Sequence, residues 1–161
     1  MGIRSSAKAL IVKDGKLLVI HCQRGGKEYD TLPGGGQEFQ ESLEQTVVRE
    51  CLEEAGLSVR VKSLAAVQEE ITTDPQAVQQ APEYCHEHLW YFRCEIVDAQ
   101  VREASHHDLG QTGIQWVPLD KVKELPILPE WLRERAETVY FAGDTVFLGT
   151  VFYEKPVVLG E

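Results

Sequence analysis

The sequence predicts an α+β fold: a mixed sheet with one long helix set early among its strands. Strand-like runs of Val, Ile, Leu and aromatic residues recur along the chain, and only over residues 42–55 does the apolar period turn helical for a long stretch. No strand–helix unit repeats, which excludes consecutive βαβ units. At 161 residues, with 43% hydrophobic and 26% charged, the chain reads as a single globular domain over residues 1–161, long enough to bury a real core.

Residues 7–12 and 17–22 are apolar runs flanking Asp14-Gly15, a pair that tolerates positive φ, so the first two strands form a hairpin. The polar residues 23–30 read as a loop. Pro33-Gly34-Gly35-Gly36 reads as irregular backbone, because three successive glycines allow close approaches that side chains block. The helix follows. Ser42 with Gln45 fits a capping box, and Gly56 stands where a helix ends. Leu43, Val47, Val48, Cys51, Leu52 and Ala55 make its apolar stripe, with Arg49, Glu50, Glu53 and Glu54 on the other side.

Residues 57–71 read as strand, and the proline-bearing residues 72–84 as loop. Residues 88–97 and 114–117 are further strands, the first with Trp90, Tyr91 and Phe92 as core formers. Two short helical pieces follow, residues 120–125 and 129 to about 139, the second with Pro129 in its first turn. Residues 146–153 read as a closing strand.

Sixteen Lys and Arg against 26 Asp and Glu give a net charge of −10. That balance argues against broad nucleic-acid binding, but it admits a small anionic substrate if a metal cation supplies positive charge. The four cysteines show no CxxC spacing, which suits reduced, buried thiols. No apolar run approaches the roughly 18 residues of a membrane span, and Met1-Gly2-Ile3-Arg4-Ser5-Ser6 lacks a secretory core. The expectation is a soluble, cytoplasmic protein with no membrane partner.

Glu50, Glu53 and Glu54 lie at i, i+3 and i+4, on one helical face. Glu41 and Glu44 add negative charge nearby, and Arg49 is the only cation between them. Such crowding costs an isolated helix a few tenths of a kcal/mol per pair, and a divalent cation with oxygen ligands would relieve it. The glycine turn just before the helix could expose backbone groups to a phosphate or offer a carbonyl to the metal.

The run Gly35, five residues, Glu41, seven residues, Arg49-Glu50-Cys51-Leu52-Glu53-Glu54-Ala55-Gly56-Leu57 resembles the Nudix box, G-x5-E-x7-R-E-U-x-E-E-x-G-U. Cys51 fills the first bulky apolar slot, where Ile, Leu or Val is usual. Leu32-Pro33-Gly34 before the box and Trp116-Val117-Pro118-Leu119 after it also look like the family. The resemblance to Nudix hydrolases implies an α/β/α sandwich with a mixed sheet. It implies hydrolysis of a nucleoside diphosphate linked to another group: ADP-ribose or another sugar nucleotide, a nucleoside triphosphate or its oxidised form, or a dinucleoside polyphosphate. By carry-over, Glu50, Glu53 and Glu54 hold Mg²⁺ or Mn²⁺, with the Gly35 carbonyl as a further ligand. Arg49 orients the glutamates by ion pairing, Glu41 among its partners. A homodimer is a family habit. The rival reading is a Nudix-fold module that senses a nucleotide without cleaving it; the intact glutamate set disfavours it.

Outside the box, the loop before Trp116 offers Asp108 as an additional catalytic acid, with Glu103 nearby. Arg24 and Lys27 are candidate phosphate contacts, Tyr29 a candidate base or sugar contact, and Gly34, Gly35 and Gly36 a backbone cradle. His86 and His88 alternate with Glu87 and share a strand face; with His106 and His107 they form a candidate second metal site.

Overall fold

Asp14 and Gly15 both take positive φ, 50° and 72°, and the chain reverses between β1 (Arg4–Lys13) and β2 (Lys16–Arg24) as the hairpin signal requires. The computed structural model describes residues 2–98 and 110–154. β2 does not stop at residue 22. It runs on to Arg24, turns at Gly25-Gly26 (φ 55° and 75°) and pairs with β3 (Lys27–Thr31), so the expected loop is a second hairpin. β3 lies at one end of the strand order. An edge strand keeps polar, solvent-facing residues, and these masked it in the sequence.

The glycine run is also a strand. β4 (Gly34–Gly36) pairs antiparallel with β1, placing Gly34 opposite Lys8, Gly35 opposite Ala7 and Gly36 opposite Ser6. Gly34 has φ +142°, and a Cβ there would lie 2.7 Å from the Lys8 Cα. The glycines serve close approach, as expected, but within a ladder.

The remaining strands are β5 (Val59–Thr72), β6 (His86–Ile96), β7 (Gln111–Pro118) and β8 (Val146–Tyr153). The order is β3-β2-β1-β6-β5-β8, with β4 added to β1 and β7 to β2. β1–β6 and β5–β8 are parallel and the other pairs antiparallel, so the sheet is mixed, as expected.

Alternation along β1 separates two cores. Ala7, Ala9 and Ile11 face Val47 and Cys51 of helix α1 (Leu43–Ala55), together with Phe92 and Cys94. Leu10 belongs to the other face with Leu17, Val19 and Tyr91. That face is closed by Val122 of a 3₁₀ turn (Leu119–Glu124) and by Leu132 and Val139 of a later helix, Leu132–Phe141. Helices on both faces make the expected sandwich.

Two α-helices differ from expectation. Residues 75–80 form a short helix, α2 (Pro75–Gln80), because the Asp74 carboxylate accepts from the Ala77 amide at 2.7 Å and Pro75 sits in its first turn. The last helix, α3, begins at Leu132 rather than Pro129. All four cysteines are free and buried. Burial pushes the thiols up, Cys94 to about 12, as unreactive packing groups. No helix among the described residues is long and apolar enough to cross a membrane.

Candidate active site

The acidic helix stands because its ends are well satisfied. The Ser42 hydroxyl accepts from the Gln45 amide at 3.1 Å, and the Gln45 side chain accepts from the Ser42 amide at 2.8 Å. Gly56 closes the other end in the left-handed conformation, φ 65°, with its amide on the Leu52 carbonyl. Between the caps, the buried stripe differs from the expected one. Thr46, Val47, Cys51, Glu54 and Ala55 are buried, whereas Val48 and Leu52 reach solvent. The helix is rolled so that one acid of the three goes inward.

Arg49 is the hub. Its Nε and Nη2 grip the two oxygens of Glu41 at 2.8 and 3.0 Å, a bidentate pair. Nη1 donates to Glu50 Oε1 at 2.8 Å and to Glu53 Oε2 at 3.3 Å, while Nη2 also reaches the Gly36 carbonyl at 3.2 Å. The paired guanidinium holds the Glu41 carboxyl down at about 2, helped by the Thr46 hydroxyl and the Glu38 amide. Glu41 in turn raises the Arg49 guanidinium further above its ordinary range. Arg49 thus orients Glu50 and Glu53 and anchors them to β4.

Glu54 is only 5% exposed, and its Oε2 accepts from the Gly34 amide at 3.3 Å. Burial pushes its carboxyl up to about 7, nearby Lys8 works against that rise, and Glu50 adds to it. Glu50 presses against Gly35, where a Cβ would lie 2.6 Å from its carboxylate carbon. Glycine is required there because the carboxylate and the strand backbone share one space. The three box acids are held in different ways: Arg49 takes Glu50 and Glu53, and the Gly34 amide takes Glu54. Among the described residues, the only three ligand-type side chains whose donor atoms all lie within 4.8 Å of one another are Glu69, His86 and His88.

Arg24 and Lys27 are the cations expected near the glycines besides Arg49. The structure adds two others, Lys8 and Arg4, to Arg49 there. Lys8 Nζ donates to the Gly34 carbonyl at 3.0 Å, Arg49 reaches Gly36, and a Cβ on Gly36 would come within 2.7 Å of Arg4 Nη2. Arg4, Ser6 and Lys8 alternate with Ser5 and Ala7, so one face of β1 carries a polar stripe. The stripe continues onto Glu87 of β6 and Glu70 of β5, which are register partners. Arg4 Nε donates to Glu87 Oε1 at 3.0 Å, and the Ser6 hydroxyl meets the same oxygen. Burial raises the Glu70 carboxyl to about 7, with Glu87 adding to the rise, while the Tyr153 hydroxyl donates to it at 3.3 Å. The alternation Arg4-x-Ser6-x-Lys8 was the available signal.

Tyr29 is half-buried and packs against the core on the α1 side, near Cys22 and Arg24, and burial raises its hydroxyl above the ordinary range. Asp108, Glu103, His106 and His107 lie outside the described residues.

A family model for the NUDIX domain matches residues 3–140. The chain belongs to the Nudix family. A MutT-like protein of Streptomyces ambofaciens is 31% identical over 120 residues, covering 74% of this chain and 66% of that protein. An ADP-ribose pyrophosphatase of Methanocaldococcus jannaschii is 43% identical over 68 residues, covering 42% of this chain and 40% of the relative. The chain therefore aligns with two fifths to two thirds of these relatives' lengths. A NUDIX hydrolase structure from Nitrosomonas europaea superposes with a TM-score of 0.71 at 21% identity, covering 88% of this chain and 90% of that one. That likeness establishes the Nudix fold, a mixed sheet between helices.

Proposed function

We propose that this Nudix domain is a pyrophosphohydrolase that cleaves the phosphoric anhydride of a nucleoside diphosphate derivative. ADP-ribose or a related sugar nucleotide is the first substrate class to test, because a relative bears the name ADP-ribose pyrophosphatase. The observation that carries the proposal is the Arg49 hub. One guanidinium holds Glu41, Glu50 and Glu53 beside a glycine strand in which Lys8 holds the Gly34 carbonyl and Glu54 the Gly34 amide.

Glu50, Glu53 and Glu54 would hold Mg²⁺ or Mn²⁺, with the Gly35 carbonyl as a further oxygen donor. The donor set suits such an ion in kind, and the three carboxylates would have to draw in to grip it, since they do not converge within 4.8 Å of one another here. Their donors are all oxygens, as hard cations require, and Glu54 is a buried acid that a nearby cation would return to its charged form. When bound, a divalent ion neutralises diphosphate oxygens and lowers the pKa of coordinated water. The chain's own residues do the rest. Arg49 fixes the carboxylates in place, and β4 supplies a backbone edge that a phosphate can approach closely. Lys8 and Arg4 would bring positive charge to that edge in a chain whose net charge is −10. On the β2–β3 hairpin, Arg24 would meet a distal phosphate and Tyr29 the sugar or base.

The test is a panel of ADP-ribose, sugar nucleotides, nucleoside triphosphates and dinucleoside polyphosphates with excess Mg²⁺, products identified by mass. Turnover of at least one, lost in EDTA and reduced about 100-fold or more in Glu53→Gln, is the expected result. Saturable binding without product across the panel would leave a nucleotide-sensing module instead.

A further inference from the structure

A second cluster of metal-ligating side chains stands apart from the Nudix box. Glu69 of β5 and His88 of β6 are register partners, and His86 lies two residues along β6 on the same face. His86 Nε2 is 2.8 Å and His88 Nε2 3.5 Å from a single oxygen, Glu69 Oε1, and the two rings stand perpendicular with centroids 5.7 Å apart. The other oxygen, Oε2, accepts from the Thr150 hydroxyl of β8 at 2.7 Å. The side chains are 29–39% exposed, open enough for a hydrated ion to enter and for water to complete its shell.

We infer that Glu69, His86 and His88 form a second metal site, for a borderline transition ion such as Zn²⁺, Co²⁺ or Ni²⁺. Two imidazole nitrogens and one carboxylate oxygen suit these ions, whereas Mg²⁺ takes an all-oxygen set. The ligands come from adjacent strands, whose ladder fixes their spacing without any loop. Thr150 supplies the outer hydrogen bond that a ligating carboxylate normally has. The site is distinct from the polar stripe by strand alternation. Glu70 and Glu87 point to the opposite face from their neighbours Glu69, His86 and His88, and Trp90, two residues beyond His88, belongs to the α1-side core. An ion here would tie β5 to β6 and bear on stability or on surface contacts. Diphosphate chemistry would not need it.

The test titrates the whole protein with Zn²⁺ against a chromogenic chelator, in excess Mg²⁺ to occupy oxygen-only sites. The wild type should withhold one equivalent of Zn²⁺. His86→Gln and His88→Gln should each weaken that binding at least about tenfold, and Thr150→Val, which keeps the strand former, by about tenfold. Co²⁺ should give visible absorption bands in the wild type that are absent from His86→Gln. If the histidine variants prove unfolded by circular dichroism, Thr150→Val and the Co²⁺ spectrum decide the question. No retained Zn²⁺ in the wild type, or equal retention in the folded variants, would overturn the inference.

Discussion

Glu54 and Glu70 are carboxyls whose burial lifts them to about 7, from an unfolded value near 4.5. The native state therefore holds their protons more tightly than the unfolded chain does. Their stabilising contribution is fully present below about 4.5 and is lost as pH rises through about 7, on the order of 3 kcal/mol for Glu54. Glu41 runs the other way: its contribution is present above 4.5 and is lost as pH falls toward 2. In EDTA, Tm measured by calorimetry should fall between about pH 5 and pH 8, and Glu54→Gln should flatten that decline. A Tm that is level across this window in the wild type would contradict the burial argument. Gly35→Ala puts a methyl against the Glu50 carboxylate, so kcat/KM should fall about tenfold or more while far-UV circular dichroism stays native. Full activity in that variant would show that the close approach is dispensable.

At the scale of elements, the long-range clamp is Arg93 on β6. It is 8% exposed and donates to the carbonyls of Val139 and Tyr140 near the C-terminus of α3, to Asp144, and to Ser63 and Leu64 of β5. Arg93→Met would leave those carbonyls unpaired, and urea denaturation should show a loss on the order of 3 kcal/mol. Ser42→Ala, which removes only the cap of α1, should cost about 1 kcal/mol. The two devices differ in how they could be read. The cap is local, so Ser42, Gln45 and Gly56 announce the helix from spacing alone. Arg93 meets partners 29 to 51 residues away, and no window of sequence contains them. The same distinction explains β3 and β4. Polar edge residues and a bare glycine run carry no alternation, and only pairing with β2 and β1 makes them strands.

Across the whole molecule, the glutamates on α1 and the glycines of β4 were legible because the box packs them into 23 consecutive residues. Arg49 was legible in the same run, but the other cations there, Lys8 and Arg4, were not, since they arrive by strand pairing from the N-terminal end. The roll that buries Glu54 was equally hidden, because it depends on which sheet face α1 covers. One fold thus carries two faces of different chemistry: oxygen donors and cations around β4, and imidazoles across β5 and β6. The most direct test of the central claim isolates the first. Mn²⁺ binding is followed by electron paramagnetic resonance at about pH 7.5 in a His86→Gln/His88→Gln background, where any remaining ion reports on the helix. Bound Mn²⁺ should persist there and weaken about 100-fold or more when Glu50→Gln and Glu53→Gln are added. Unchanged Mn²⁺ binding after both glutamates are neutralised would contradict the assignment of the acidic helix as the metal-holding face.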